Sequence, residues 1–125
     1  YKGGGETILV ADDVKEQREI AHMIFSQLGY AVVTVESGEK AVEFVEQKPV
    51  DLVILDMIMA PGIDGLETYE RILKRYPEQK AIITSGFSET DRIRKAKKLG
   101  VGQYIKKPYT LEKIALAVKT ELGRH

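Results

Sequence analysis

Short apolar runs alternate along the chain with longer segments whose apolar residues recur every three or four positions. Five such runs lie near residues 7–11, 31–35, 52–55, 81–84 and 102–105. After the fifth run, the apolar positions from Leu111 to Leu122 form one stripe. A short continuous apolar run is typical of a strand buried on both faces, and a one-sided stripe is typical of a helix that covers it. The pattern therefore predicts five βα repeats around a parallel sheet.

Capping residues delimit the predicted helices. Helix starts are expected at side chains that can accept a hydrogen bond from the first turn, namely Ser37, a residue within 88–91, and Thr110. Helix ends are expected at glycines that accept the left-handed conformation, namely Gly29, Gly100 and Gly123. We expect one domain over residues 7–122, a flexible linker or cloning remnant over 1–6, and a tail over 123–125 that leaves no room for an output domain downstream.

Composition narrows the class of protein. The 125 residues suit one domain with a real core, and 19 basic residues balance 19 acidic ones. This balance removes the electrostatic reason for nucleic acid or an anionic membrane as an obligatory partner. The chain has no cysteine, so we expect neither disulfides nor thiolate metal sites. We expect a cytoplasmic domain that makes no membrane contact of its own.

Polar residues follow four of the five apolar runs. Asp12 and Asp13 follow the first run, Asp56 the third, Ser85 the fourth, and two lysines at 106–107 the fifth. Because ligands bind beyond the carboxyl ends of parallel strands, these side chains should converge. Clustered carboxylates repel one another, and a hard divalent cation with oxygen ligands is the usual relief. The sequence therefore predicts a pocket suited to Mg²⁺ and a phosphoryl group.

At this spacing, the residues at the strand ends resemble the receiver domain of two-component response regulators. The family's motifs are matched by Asp12–Asp13, Asp56, Ser85–Gly86 and Lys107–Pro108. The resemblance covers about residues 7–122, and the segments 56–65 and 104–111 are most similar to receivers of hybrid sensor histidine kinases. It implies an α/β, flavodoxin-like (βα)₅ fold with a doubly wound parallel sheet in strand order 2-1-3-4-5 and three α/β/α layers.

The resemblance also implies a phosphoacceptor and a metal site. Asp56 would accept the phosphoryl group from a phosphohistidine of a histidine kinase or a histidine phosphotransfer domain. Asp13 and Asp56 would bind Mg²⁺ directly, the backbone oxygen of Ile58 would be a further ligand, and Asp12 would act through bound water. No organic cofactor is implied. Such a domain transfers a phosphoryl group to itself and loses it slowly, so we expect no turnover enzyme.

The remaining family roles fall on residues of the fourth and fifth strands. Spacing alone leaves open whether Lys106 or Lys107 enters the pocket, because neighbouring strand residues point to opposite sides. The resemblance selects Lys107, which would pair with a phosphoryl oxygen and precede Pro108 in a cis peptide. The Ser85 hydroxyl would donate to another phosphoryl oxygen. Tyr104 would be the switch aromatic, which turns inward when the Ser85 hydroxyl moves toward the phosphoryl oxygen. Otherwise it is an ordinary half-buried strand tyrosine.

Two features depart from the family pattern. The loop after Asp56 carries one additional residue before Pro61, so we expect it to bulge or to follow a different turn. Ile58 and Phe87 are apolar at positions that flank the phosphoryl group, where many receivers have polar residues. We therefore expect slow hydrolysis of the aspartyl phosphate, since neither side chain can orient the attacking water.

Other functions stay open. A receiver-like interaction module that is never phosphorylated would need the altered loop to spoil the site. A Mg²⁺-dependent aspartyl-phosphate phosphatase would carry a second aspartate two residues after its nucleophile, and neither Asp12 nor Asp13 is followed in that way. A flavodoxin-like mononucleotide binder would present amides and hydroxyls after the first strand in place of carboxylates.

The predicted fourth helix carries a basic run. Such a run is usually a solvated face and is otherwise a docking face for an acidic partner. Its members are Arg92, Arg94, Lys95, Lys97 and Lys98. Because the apolar stripes are used by the sheet, we expect an unphosphorylated monomer.

Overall fold

The computed structural model describes residues 3–124. The elements are β1 (Thr7–Ala11), α1 (Lys15–Gln27), β2 (Ala31–Val35), α2 (Gly38–Gln47), β3 (Leu52–Asp56), α3 (Gly65–Arg75), β4 (Ala81–Ser85), α4 (Asp91–Leu99), β5 (Gln103–Lys106) and α5 (Leu111–Leu122). All five predicted strands are present, although β5 is shifted by one residue. Residues 1–2 of the expected linker and residue 125 of the expected tail lie outside the described residues. Within 3–124, no helix is both long and apolar enough to cross a membrane.

The strands form one parallel sheet in the order β2-β1-β3-β4-β5, as the family resemblance implied. β1 lies beside β3, with Ala11 opposite Leu55. β4 lies on the other side of β3 and pairs with β5, with Ser85 opposite Lys106. The strands therefore all end on one side of the sheet, which we call the carboxyl edge, and they begin on the opposite side, the amino edge.

Alternate residues of the strands face two separate cores, because successive strand side chains point to opposite faces. Leu9, Val53 and Ile83 pack with α2, α3 and α4 on one face. Ile8 and Ile54 pack with α1 and α5 on the other face. Burial on both faces explains why the strands are almost continuously apolar, and the three predicted layers are confirmed.

Side-chain caps mark the starts of α2, α4 and α5. Ser37, Thr90 and Thr110 each accept a hydrogen bond from a backbone N–H of the following helix, as predicted. Gly29 and Gly100 have the expected positive φ, at 91° and 131°. Gly123 ends α5 as predicted, but not in the left-handed conformation: its φ is −84°, and its N–H donates to the Lys119 carbonyl at 3.1 Å. This ordinary helical bond makes a left-handed turn unnecessary there.

The segment before β1 contacts the domain. The Gly3 N–H donates to the Leu28 carbonyl at 2.5 Å, and the Gly5 N–H donates to the Gly29 carbonyl at 2.9 Å. A Cβ atom on Gly29 would lie 2.9 Å from the Gly3 carbonyl oxygen, so the turn after α1 has no room for a side chain. Residues 3–5 therefore run along the α1–β2 turn. The boundary between linker and domain stays a prediction.

Candidate functional site

Three carboxylates meet at the carboxyl edge. Asp12 and Asp13 follow β1, and Asp56 is the last residue of β3, the neighbouring strand. Each of these aspartates places a carboxylate oxygen within 4.8 Å of the others. Asp12 is buried, Asp56 is partly buried and Asp13 is exposed. Hard oxygen donors at this spacing suit Mg²⁺, and the exposed Asp13 leaves the cluster accessible from solvent.

Asp12 is held in place from three directions. Its Oδ1 accepts from the Val14 N–H at 2.9 Å, and its carbonyl accepts from Arg18 Nη1 at 2.8 Å. Its Oδ2 accepts from Lys107 Nζ at 2.7 Å. These contacts fix the position of the Asp12 carboxylate at one side of the acidic cluster. Arg18 was not anticipated, since a contact from a helix to the preceding loop backbone leaves no sequence pattern.

Lys107 is the lysine that enters the cluster. Its Nζ lies 2.7 Å from Asp12 Oδ2 and 3.5 Å from Asp56 Oδ2, and its side chain is 20% exposed. Lys106 is exposed. The Lys107–Pro108 peptide bond is cis, and the Lys107 N–H donates to the Ser85 carbonyl at 2.7 Å. This hydrogen bond joins the start of the β5–α5 connection to the end of β4.

Burial and the neighbouring charges shift the pKa values of Asp56 and Lys107. Burial raises the pKa of Asp56 to about 6, and the charges of Asp12 and Asp13 add to this while Lys107 opposes it. Burial lowers the pKa of Lys107, but its hydrogen bond to Asp12 and the charge of Asp56 outweigh this and raise it. The ionised Asp56 is therefore incompletely neutralised by Lys107. A divalent cation would stabilise its charged form further.

Ser85 and Tyr104 are connected through the loop after β4. Ser85 is buried, and its Oγ accepts from the Phe87 N–H at 3.1 Å. The Tyr104 hydroxyl donates to the Phe87 carbonyl, and the Lys97 ammonium lies 5.9 Å from the centroid of the Tyr104 ring. Phe87 is thus bound on one side by Ser85 and on the other by Tyr104. The switch role of both residues stays a prediction.

The loop after Asp56 accommodates its additional residue in a turn. The Gly62 N–H donates to the Met59 carbonyl at 3.1 Å, and the Ala60–Pro61 peptide bond is cis, which was not anticipated. Met59 is buried, whereas Ile58 is 49% exposed. Phe87, the other residue expected to flank the phosphoryl group, is 61% exposed. The two apolar side chains expected to flank the phosphoryl group are therefore both accessible from solvent.

Two further acidic residues hold this loop. Glu39 of α2 accepts from the Ile63 N–H at 3.1 Å. Asp64 caps α3 by accepting from the Glu67 N–H at 2.9 Å, and it also binds Arg92 of α4. Sequence reasoning missed both residues. The aspartate followed three positions later by glutamate at the start of α3 was an available capping signal for Asp64.

The basic run of α4 is largely paired. Four of its five members lie within ion-pair distance of a carboxylate: Arg92 of Asp64, Arg94 of Asp91, Lys95 of Glu70, and Lys97 of Glu89. These pairs neutralise most of the run. The arrangement favours an ion-paired, solvent-facing surface over a docking face for an acidic partner.

The chain matches a known protein family over most of its length. The family model described as the response regulator receiver domain matches residues 8–119.

Solved structures share the fold. A CheY-like response regulator receiver domain protein from Methanospirillum hungatei is 23% identical, with a TM-score of 0.89 over 95% of this chain and 94% of that one. The N-terminal domain of a response regulator/sensory box/GGDEF 3-domain protein from Carboxydothermus hydrogenoformans is 26% identical, with a TM-score of 0.84 over 94% of each chain. NtrX from Brucella abortus is 26% identical, with a TM-score of 0.88, and the match covers 95% of this chain but only 27% of NtrX.

Proposed function

Because the chain belongs to the response regulator receiver domain family, we propose that it is the phosphoacceptor of a two-component phosphorelay. In this proposal Asp56 takes a phosphoryl group from a phosphohistidine of a histidine kinase or a histidine phosphotransfer domain. The observation that carries the proposal is the convergence of three carboxylate groups and the Lys107 ammonium at the carboxyl edge. Phosphoryl transfer depends on positioning and on charge neutralisation, and this cluster supplies the groups for both.

The transfer replaces one bond to phosphorus with another. An Asp56 carboxylate oxygen attacks the phosphorus, the bond from phosphorus to the imidazole nitrogen breaks, and its electron pair stays on that nitrogen. The product is an acyl phosphate on Asp56, and no oxidant or reductant is needed. Lys107 Nζ lies 3.5 Å from Asp56 Oδ2, so it can pair with a phosphoryl oxygen of the product. The Ser85 hydroxyl, at the end of the adjacent strand, would donate to a second one.

The donor set fits Mg²⁺. Asp13 and Asp56 would hold the ion with the backbone oxygen of Ile58, and Asp12 would contribute through water. When bound, the ion supplies positive charge against the incoming phosphoryl group. Asp12 is already engaged by Lys107 at 2.7 Å, which is consistent with an indirect role for this carboxylate.

Receiver domains are signalling modules rather than turnover enzymes, and we propose that this chain acts as one. In the proposal, the acyl phosphate changes the contacts of Ser85, and Tyr104 responds through their shared neighbour Phe87. We propose a cytoplasmic domain of a hybrid sensor kinase, monomeric when unphosphorylated, with no nucleic acid contact of its own. Its direct partner would be the protein that carries the phosphohistidine.

A beryllofluoride titration followed by ¹⁹F NMR tests the proposal, because beryllofluoride mimics a phosphoryl group on a carboxylate. We expect a bound signal for the wild type in Mg²⁺, none without a divalent cation, and none for Asp56→Asn. A folded wild type that gives no bound signal in Mg²⁺ would favour the interaction module that is never phosphorylated.

A further inference from the structure

An arginine of α4 holds the far end of the loop that follows Asp56. Arg92 Nε lies 2.5 Å from Asp64 Oδ2, and Arg92 Nη2 lies 2.9 Å from Asp64 Oδ1. The same Asp64 carboxylate accepts from the Glu67 N–H at 2.9 Å and caps α3. A two-pronged arginine–carboxylate pair fixes orientation as well as distance. The first turn of α3 is therefore fastened to the first turn of α4.

The first turn of α3 also lies against the backbone of the phosphoacceptor. The Gly65 N–H donates to the Met57 carbonyl at 2.8 Å, and the Met57 N–H donates to the Thr84 carbonyl at 2.8 Å. A Cβ atom on Gly65 would lie only 2.8 Å from the Asp56 carbonyl oxygen. Any displacement of residues 64–65 is therefore transmitted directly to the backbone at Asp56 and Met57.

Arg94 provides a comparison on the same helix. The side chains of Arg92 and Arg94 are similarly exposed, at 55% and 53%. The Arg94 partner is Asp91, three residues earlier in α4, so this pair stays within one helix. The Arg92 partner lies 28 residues away in sequence, beside the phosphoacceptor loop. The two arginines therefore differ mainly in the position of their partners: Arg94 binds within α4, whereas Arg92 binds the residue that caps α3.

We propose that Arg92 is a positioning residue for Asp56: by binding Asp64 it fixes the start of α3 and, through Gly65, the backbone that carries the phosphoacceptor. The inference rests on the proposed function of Asp56. Partly exposed ion pairs contribute little to stability, whereas a small displacement of a reacting group slows a reaction strongly. Loss of Arg92 should therefore lower the rate of phosphorylation far more than it lowers stability.

The test compares Arg92→Gln with Arg94→Gln in phosphorylation by acetyl phosphate in Mg²⁺. At saturating donor, we expect the rate to fall about three- to tenfold in Arg92→Gln, with the half-saturating donor concentration and the melting temperature nearly unchanged. Arg94→Gln should stay within about twofold of the wild type, because its pair touches no part of the site. Arg92→Lys, which keeps the charge without the fork, should recover part of the rate.

A second arm measures hydrogen exchange at the Met57 and Gly65 amides without metal or donor. We expect faster exchange in Arg92→Gln than in Arg94→Gln. If the two variants match in rate and in exchange, the positioning role is overturned, and a slower rate with unchanged exchange at these amides overturns it as well. If the wild type takes up no phosphoryl group, the proposed function fails, and the exchange arm alone decides whether Arg92 holds the Asp56 backbone.

Discussion

Two charged side chains at the amino edge and three at the centre of the carboxyl edge differ in the partners they bind. At the amino edge, Asp51 Oδ2 accepts from the Thr7 N–H and Lys80 Nζ donates to the Leu122 carbonyl, both at 2.7 Å. These charges meet backbone groups. At the carboxyl edge, Asp12, Asp56 and Lys107 meet one another. Charged side chains that hydrogen-bond to the backbone stabilise the fold, whereas charged side chains that face one another can also bind a ligand.

A groove at the amino edge lies opposite the candidate site. The amino edge has a groove of about 640 Å³, lined in part by Tyr76, Pro77 and Glu78. At the carboxyl edge, the Asp56 carboxyl of the acidic cluster has a pKa raised to about 6 by burial and by the charges of Asp12 and Asp13, against the opposing charge of Lys107. Perturbed titration at a cluster of charges is a better guide to phosphoryl chemistry than volume, because the reaction is governed by electrostatics.

Removing the Asp56 carboxylate should have the largest effect. Asp56→Asn is expected to abolish uptake of phosphoryl groups from acetyl phosphate, because it removes the nucleophile and leaves a similar shape. Asp51→Asn is the matched control at the amino edge, since its amide oxygen can still accept from the Thr7 N–H. Radiolabel uptake measures both. Labelling of Asp56→Asn at the wild-type level would show that Asp56 is not the acceptor. Loss of labelling in Asp51→Asn would show that uptake also depends on the amino edge.

Stability should depend on pH in opposite directions at the two edges. The pKa of Asp56 is raised from 3.8 to about 6, so the folded protein holds this proton more tightly than the unfolded chain. Without metal, stability from this group should fall by up to about 3 kcal/mol as the pH rises from about 4 to about 6. The pKa of Glu6 is lowered by hydrogen bonds from its own and the Gly4 backbone N–H, so its contribution grows as the pH rises to the ordinary Glu value of 4.5 and is constant above it.

Urea unfolding in a chelating buffer isolates the Asp56 contribution as the difference between wild type and Asp56→Asn. Between pH 4 and 6, the free energy of unfolding of wild type should fall relative to that of Asp56→Asn. A difference that stays flat across this range would show that the acidic cluster does not oppose ionisation of Asp56.

The lifetime of the acyl phosphate tests the apolar flanks of the carboxyl edge. The Ile58→Asn, Phe87→Glu double variant should lose its phosphoryl group about 5- to 30-fold faster than wild type, since an oriented water contact is worth roughly 1 to 2 kcal/mol of barrier. Decay is followed after the donor is removed. Leu116→Asn, at another exposed apolar position, is the control. Equal decay in the double variant and wild type would exclude apolar crowding as the cause of slow hydrolysis.

Magnesium should stabilise the protein through the carboxyl edge alone. At ten times its Kd, a ligand that binds only the folded state adds about 1.4 kcal/mol, seen as a higher Tm. Asp13→Ala should lose most of this gain, whereas Glu78→Ala, in the groove of the amino edge, should keep it. An equal Mg²⁺ shift in Asp13→Ala and wild type would remove Asp13 from the metal site.

Most of the fold could be predicted because burial on both faces leaves a direct mark on the sequence. The strands are almost continuously apolar, and Thr110 and Ser37 are residue types that cap helices. Gly123 shows the limit of such reasoning, since glycine permits a left-handed turn but does not require one. The turn from Met59 to Gly62 was also beyond reach, because one added residue can be absorbed in several ways.

The site could be predicted only in part. Strand ends and family resemblance together predicted that the three aspartates and Lys107 converge, and they do. The Arg92–Asp64 pair could not be foreseen, since it joins residues far apart in sequence and depends on how α4 packs beside α3. Likewise, the hydrogen bond from Tyr104 to the Phe87 carbonyl depends on the path of a loop that carries no regular pattern.

Peptide mapping identifies the residue that accepts the phosphoryl group, which we expect to be Asp56. The full chain is treated with acetyl phosphate and Mg²⁺, the acyl phosphate is reduced with borohydride to homoserine, and the peptides are identified by mass spectrometry. We expect conversion at Asp56 alone, and none without Mg²⁺. Conversion at Asp12 or Asp13 in place of Asp56, or no conversion in folded wild type, would show that Asp56 is not the phosphoacceptor.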